Sequence, residues 1–351
     1  MVANVSTLTY TPVQVGEYAL AEVRACMRGA DKGIALGLDT TAQPIVPLRP
    51  GNLAVVQAYT SHGKTAFMTN WARRVAHTLR EAAGDEPTNK CVVYVSWEDT
   101  VEDLGLYDLA NETAINVTDI RANRITAQDV ERLEVAAFKR GTVPVWVIGN
   151  SHANRKRQAR LTLSQVSNAL KWIEDAMRHE PAFLVLDYLN KIQPEKDWQS
   201  KDGRRTDLME LVFKAGDLGM AQGCPVVLGA QSGRQVMDRP WKAPRANDPQ
   251  ETSSIEQYCQ LMLSLWRPVL TEAEGSDLRG PDGKPVDPRI EVTQNLLIMT
   301  VNKQKRGPAG GWIPLYMNPA TNEIRVMARG DEPADAPPPG YDYAPAEMPG
   351  Y

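Results

Sequence analysis

Residues 53–67 read LAVVQAYTSHGKTAF. The first six, 53–58, are almost wholly apolar and have the length of a strand buried on both faces. They run into Ala58-Tyr59-Thr60-Ser61-His62-Gly63-Lys64-Thr65, and a helical pattern follows over 64–82. This is the second half of the phosphate loop G-x-x-x-x-G-K-[ST], with Ala58 in place of its first glycine. Backbone N–H groups of such a turn, from Ser61, His62 and Gly63 to Ala66, surround a phosphate, with the helix N-terminus behind them. Lys64 has the place to reach the β- and γ-phosphates, and the Thr65 hydroxyl the place to ligate Mg²⁺. ATP and Mg²⁺ are therefore the expected cofactors. The strand–loop–helix setting separates this motif from a chance Gly-Lys-Thr.

Outward from this stretch, short apolar runs alternate with helical patterns. Strands are expected at 53–58, 91–96, 143–149, 182–187, 225–230, 261–266 and 295–301, and helices at 64–82, 100–111, 127–139, 162–179 and 206–222. Two-side-apolar strands separated by helices predict an α/β fold, a mostly parallel sheet with helices on both faces. The last two strands follow each other without a helix, which leaves room for an antiparallel edge. Residues 271–293 are rich in Gly, Pro and charge and read as a hairpin excursion. An amphipathic helix is expected at 17–28. The organisation read from the chain is an N-terminal segment with this helix (1–29), one ATPase domain (30–330) and an acidic, Pro-rich tail (331–351).

The formal net charge is −4, which points away from nucleic acid. The tail DEPADAPPPGYDYAPAEMPGY carries five acids and no lysine or arginine, so without its −5 the preceding 330 residues stand at +1. Nucleic acid stays open as a partner. No apolar run approaches the ~20 residues of a membrane span, and the N-terminus lacks the pattern of a signal peptide. Cys26, Cys91, Cys224 and Cys259 are far apart, without C-x-x-C. They read as reduced thiols of a cytoplasmic protein. The four histidines show no metal-ligand spacing.

A phosphate loop needs acidic partners to hydrolyse. The strand 182–187 ends in Asp187, suited to hold Mg²⁺ through water. The strand 91–96 leads into Trp97-Glu98, at the carboxyl edge of the sheet where ligands of open α/β folds bind. Glu98 there can orient and deprotonate an attacking water. Each carboxylate alone reads equally as a helix cap; beside the phosphate loop they form one site. Gln231, just past strand 225–230, has the place of a γ-phosphate sensor.

These residues, with others in order, resemble the bacterial replicative DNA helicase (DnaB-like) family, in its C-terminal RecA-type ATPase domain, over roughly 30–327. The blocks are SHGKTAF (61–67), VVYVSWE (92–98), FLVLDYLNKIQ (183–193, for the family's IDYLQLI) and PVVLGAQSGR (225–234, for PVIALSQLNR). DPQETSSIEQ (248–257) is similar to DLRESGAIEQ, and KQKRGPAG (303–310) to KQRNGPTG. The resemblance implies a RecA-like core in a ring, usually a hexamer, moving 5′–3′ on single-stranded DNA with ATP between subunits. Lys64, Thr65, Glu98, Asp187 and Gln231 would act in cis. Lys303 and an arginine would reach the neighbour's ATP. The family's finger arginine aligns with Lys305, and arginine comes one residue later, as Arg306. Lysine cannot replace the bidentate guanidinium, so Arg306 is the expected finger.

The resemblance also implies two DNA-facing loops. One is 194–205, with Lys201, Arg204 and Arg205. The other is 233–247, with Arg234, Arg239, Lys242 and Arg245 against the single acid Asp238. Such loops track the phosphate backbone without reading bases. Trp241 is a candidate for base stacking and equally for packing on its own protein. The basic run 154–160 (NRKRQAR) matches no family DNA loop and reads as solvated surface or a second nucleic-acid contact. The helix 17–28 offers Tyr18, Leu20, Ala21, Val23, Ala25 and Met27 for docking on the next subunit. Only about 16 residues precede it, against the family's N-terminal domain of a hundred or more, which points to a minimal motor of a phage or mobile element. The tail, expected to be disordered, is a candidate for holding a polymerase, primase or nuclease. Two other readings compete: a RecA- or KaiC-like ATPase or scaffold that does not unwind, and a nucleotide sensor that recruits a nuclease or transposase.

Overall fold

A computed structural model describes residues 9–27, 33–38, 40, 43–153, 161–194, 204–249, 255–287 and 289–327, with the backbone alone for Cys26, Arg204 and Arg205. The tail, the run 154–160, Lys201 and the side chains of Arg204 and Arg205 lie outside the described residues. Described strands are β1 (Leu53–Ala58), β2 (Lys90–Ser96), β3 (Val145–Ile148), β4 (Glu180–Asp187), β5 (Val226–Gln231), β6 (Leu261–Trp266), β7 (Leu296–Gln304), β8 (Trp312–Asn318) and β9 (Glu323–Val326). They form one sheet in the order β3-β2-β4-β5-β1-β6-β7-β8-β9. Pairing is parallel from β3 through β6. It is antiparallel from β6 to β9. The edge left open by the sequence is thus antiparallel, and it gains two strands, β8 and β9, that the sequence reading had not placed. They alternate buried and half-buried residues, a weaker signal than the wholly apolar central strands.

The helices are α1 (Pro12–Met27), α2 (Lys64–Ala82), α3 (Val101–Thr113), α4 (Val117–Arg121), α5 (Ala127–Arg140), α6 (Leu163–Asp175), α7 (Arg204–Ala221) and α8 (Ile255–Tyr258). Strand alternation sends side chains to both faces. Ala54, Val56 and Ala58 join the core under α2, with Val92, Tyr94, Phe183 and Val185. Leu53 and Val55 join the opposite core under α6 and α7, with Val93, Val95, Leu184 and Leu186. This double burial is why the central strands read as continuous apolar runs. Helices α3, α5 and α6 each open with a capping box, on Thr100/Asp103, Thr126/Asp129 and Thr162/Gln165.

A third core lies at the antiparallel edge, where Trp241, Trp266, Leu278, Val292, Leu296 and Ile298 cluster with Trp312 against them. The excursion 271–293 is bridged at Asp277–Glu291 and Arg279–Pro285. It supplies Leu278 and Val292 to that core. Helix α1 begins five residues earlier than expected. It leaves Tyr18, Leu20, Val23 and Met27 exposed, Met27 by 83%. Its Glu22 pairs with Arg49. Among the described residues, no helix is long and apolar enough to cross a membrane.

Candidate nucleotide site

The loop between β1 and α2 turns through two left-handed residues, Ser61 (φ 68°) and Gly63 (φ 85°). Gly63 is required twice over: its φ favours glycine, and a Cβ there would lie 3.0 Å from Met317 Sδ. Unlike α3, α5 and α6, α2 has no side-chain cap on its first turn. Its N–H donors point out of the loop that precedes them, the arrangement that suits a phosphate. His62 is 3% exposed. Its Nδ1 accepts from the Arg267 N–H at 2.9 Å, which fastens the loop to the end of β6. Burial first, then the Arg267 charge, lowers its pKa to about 4, so it is neutral near pH 7.

Three donors converge on Asp187, at the end of β4. Lys64 Nζ lies 2.7 Å from Oδ1. The Thr65 hydroxyl donates to Oδ2 at 2.7 Å, and so does the Tyr94 hydroxyl. Lys64 Nζ also stands 3.7 Å from the centre of the Tyr188 ring, within cation–π range. Asp187 is only 1% exposed. A carboxylate so deep stays charged because its lone pairs are filled by these donors.

On β2, Ser96 stands opposite Asp187. Glu98, two residues past that register point, is exposed beside the same edge. Its neighbour Asp99, which the sequence reading passed over, has its pKa raised to about 6 by burial, then by Asp187, Glu98 and Asp103, with Lys64 opposing. Gln231 stands opposite Ala58 on β1. Its Nε2 donates to Thr60 Oγ1 at 2.8 Å, so it touches the phosphate loop. The fold therefore gathers Lys64, Thr65, Asp187, Glu98 and Gln231 at the carboxyl edge of β1, β2, β4 and β5. This donor set fits a nucleotide phosphate and a hard divalent cation, since it offers a lysine, a hydroxyl, a buried carboxylate and free helix N–H groups. Tyr94 and Tyr188 are the partners that sequence reasoning missed. The signal was a phenol inside the aliphatic run VVYV, because a buried hydroxyl finds a partner.

The expected trans residues sit elsewhere. Lys303 Nζ donates to the Glu256 carbonyl, so this lysine is engaged within its own chain. Gln304 is buried: its Oε1 accepts from Val46 N–H at 2.8 Å, and its Nε2 donates to the Pro44 and Pro308 carbonyls at 3.0 Å. It pins the turn that presents Lys305 and Arg306, both exposed.

The second expected DNA loop needs correction. Arg239 is ion-paired to Asp248, and Lys242 to Glu272. Both acids lie outside the 233–247 window, which is why the local charge balance overstated the free cations. Arg234 and Arg245 remain exposed. Trp241 is 6% exposed and packs on Trp266 (ring centres 5.0 Å apart) and Trp312 (5.6 Å). It is a core residue here, not a stacking platform.

The chain was compared with known proteins. The replicative DNA helicase DnaB of Geobacillus stearothermophilus is 25% identical over 310 residues, 88% of this chain and 60% of that protein. The replicative DNA helicase DnaC of Bacillus subtilis is 24% identical over 311 residues, 89% of this chain and 60% of that one. The chain thus spans about 60% of the length of these relatives. Among solved structures, an isolated ATPase domain superposes with a TM-score of 0.71 at 18% identity, covering 89% of this chain and 98% of that one. A DnaB-like replicative helicase, solved in a study of its interactions with primase, superposes at 0.69 and 18% identity, covering 89% and 67%. These likenesses show the RecA-like fold. The profile of the DnaB-like helicase C terminal domain matches residues 33–324, and on that match the chain belongs to this family.

Proposed function

We propose that the chain is an ATP-driven motor that moves on single-stranded DNA as a ring of identical subunits, a hexamer, and unwinds duplex DNA with 5′–3′ polarity. The observation that carries this reading is the convergence of Lys64, Thr65 and Asp187 at the uncapped start of α2, within a family of replicative helicases. Ser61 to Ala66 would hold the phosphates through backbone N–H groups, Lys64 would neutralise them, and Thr65 and Asp187 would hold Mg²⁺. A divalent cation there supplies charge neutralisation on the phosphates. Glu98 orients and deprotonates water, and Gln231, tied to Thr60, senses the γ-phosphate.

Two features support a composite site between copies. Arg306 and Lys305 are exposed on a turn pinned by Gln304. The apolar surface of α1 is open, which suits docking on a neighbour. Arg234 and Arg245, with Lys201, Arg204 and Arg205, would line the channel. A polymerase, primase or nuclease would be held by the acidic tail 331–351. Removing the tail should then abolish capture of that partner and spare ATPase and DNA binding.

The test is strand displacement on a forked duplex with ATP, with Lys64→Ala in parallel. Displacement by the native chain and its loss in the variant are expected. ATPase stimulated by single-stranded DNA without displacement would favour the RecA- or KaiC-like reading, to which the lysine at position 305 lends its weight.

A further inference from the structure

Of the three donors on Asp187, two are claimed by the proposed nucleotide site. Lys64 has the phosphates to serve and Thr65 the metal ion. Once they turn away, a carboxylate that is 1% exposed loses two of its three fixed partners. A buried carboxylate without donors is costly and free to rotate.

Tyr94 is different in kind. It is 2% exposed in the middle of β2, and its ring belongs to the core under α2. It stands opposite Val185 as Ser96 stands opposite Asp187, so it is the diagonal neighbour of Asp187 on the same sheet face. Its hydroxyl reaches Oδ2 at 2.7 Å. Burial, then the charge of Asp187, raises its pKa well above the usual phenol value, so it remains a donor. The other side of the carboxylate is closed by β5. A Cβ on Gly229 would lie 3.3 Å from Asp187 Oδ1, and 3.0 Å from Met68 Cε and Tyr188 Cβ. Asp187 is therefore held between a phenol and a bare stretch of backbone. A phenylalanine would fill the same core volume as Tyr94, so packing alone does not account for the oxygen.

We infer that Tyr94 is a positioning residue for the metal carboxylate: it keeps Asp187 oriented when Lys64 and Thr65 leave it for bound nucleotide. The inference rests on the proposed nucleotide site. Its test is the affinity of a non-hydrolysable ATP analogue, measured by calorimetry with Mg²⁺ and again with EDTA, for the native chain and Tyr94→Phe. In EDTA the two should agree within about twofold. The gain in affinity that Mg²⁺ brings should fall about tenfold in the variant, the scale of one hydrogen bond to a charged group. In an Asp187→Asn background, Tyr94→Phe should add no further loss.

An undiminished Mg²⁺ gain, an equal weakening with and without the metal, or an additive loss in the Asp187→Asn background would each overturn the assignment. If the native chain itself shows no nucleotide binding, the nucleotide site falls, and the assignment with it. Should Tyr94→Phe melt below the assay temperature, Gly229→Ala presses on the same carboxylate from β5. The same metal-specific loss is expected there, and an unchanged Mg²⁺ gain would overturn the inference.

Discussion

The loop after β1 and the turn after β7 carry the charges expected around one nucleotide, yet they are built in opposite ways. At the first, Lys64 and Thr65 are already hydrogen-bonded to buried Asp187. At the second, the backbone is fixed by Gln304, while Lys305 and Arg306 stand in solvent. Among the described residues, neither side chain of that turn has a hydrogen-bond or ion-pair partner. One half is preorganised inside the chain. The other half is rigidly mounted and faces outward, as a group meant for another molecule would be.

The sharpest way to break this comparison is to mix subunits. Arg306→Ala should lower ATP turnover by about 10³-fold, the lower range for a trans arginine, with nucleotide affinity little changed. Lys305→Ala should cost far less. Mixing Arg306→Ala with Lys64→Ala should restore part of the turnover, because some interfaces then combine an intact loop with an intact finger. No recovery, or equal losses for Arg306 and Lys305, would remove the two-copy reading of the turn.

The antiparallel edge gives the next largest effect. Trp241→Ala should destabilise the chain by ~3 kcal/mol or more, read as a shifted urea midpoint, because it empties a cluster shared with Trp266 and Trp312. DNA affinity lost without a stability change would instead return Trp241 to the channel.

His62 sharpens the first half of the comparison. Its folded pKa lies near 4, below the ordinary 6.5, so the unfolded chain takes up the proton first as pH falls. The stabilisation is complete above about pH 6.5 and is lost as pH drops toward 4, by ~3 kcal/mol at most. Nucleotide-free urea melts at pH 7 and pH 5 should show this slope, and His62→Gln should flatten it.

The smallest effects separate the cations of 233–247. Arg239→Ala strips a guanidinium from buried Asp248 and should cost ~1–3 kcal/mol of stability. Arg234→Ala and Arg245→Ala should leave stability alone. Each should weaken single-stranded DNA binding severalfold and reduce its salt slope by about 1. The reverse assignment would sink the corrected reading of this loop.

Much of the fold was legible because the central strands are buried on both faces, so β1, β2, β4 and β5 could be read within a residue or two. The phosphate loop was legible because its residues are contiguous. The weaker readings had a common cause. β8 and β9 are half-buried and alternate, so their apolar signal is diluted. Arg239 and Lys242 find their acids at Asp248 and Glu272, one and 25 residues beyond the 233–247 window in which charge was summed.

The sequence by itself determined the α/β alternation, the phosphate loop and the family, since each depends on residues close together or in a fixed order. Tertiary structure decided which groups meet. It set Tyr94 against Asp187 across a strand register, engaged Lys303 with Glu256, and buried Trp241 among two other tryptophans. The physical reason is range. Propensity and motif act over a few residues, whereas a buried carboxylate, cation or indole is satisfied by whatever the sheet brings beside it, which in this chain lies 93 residues from Tyr94.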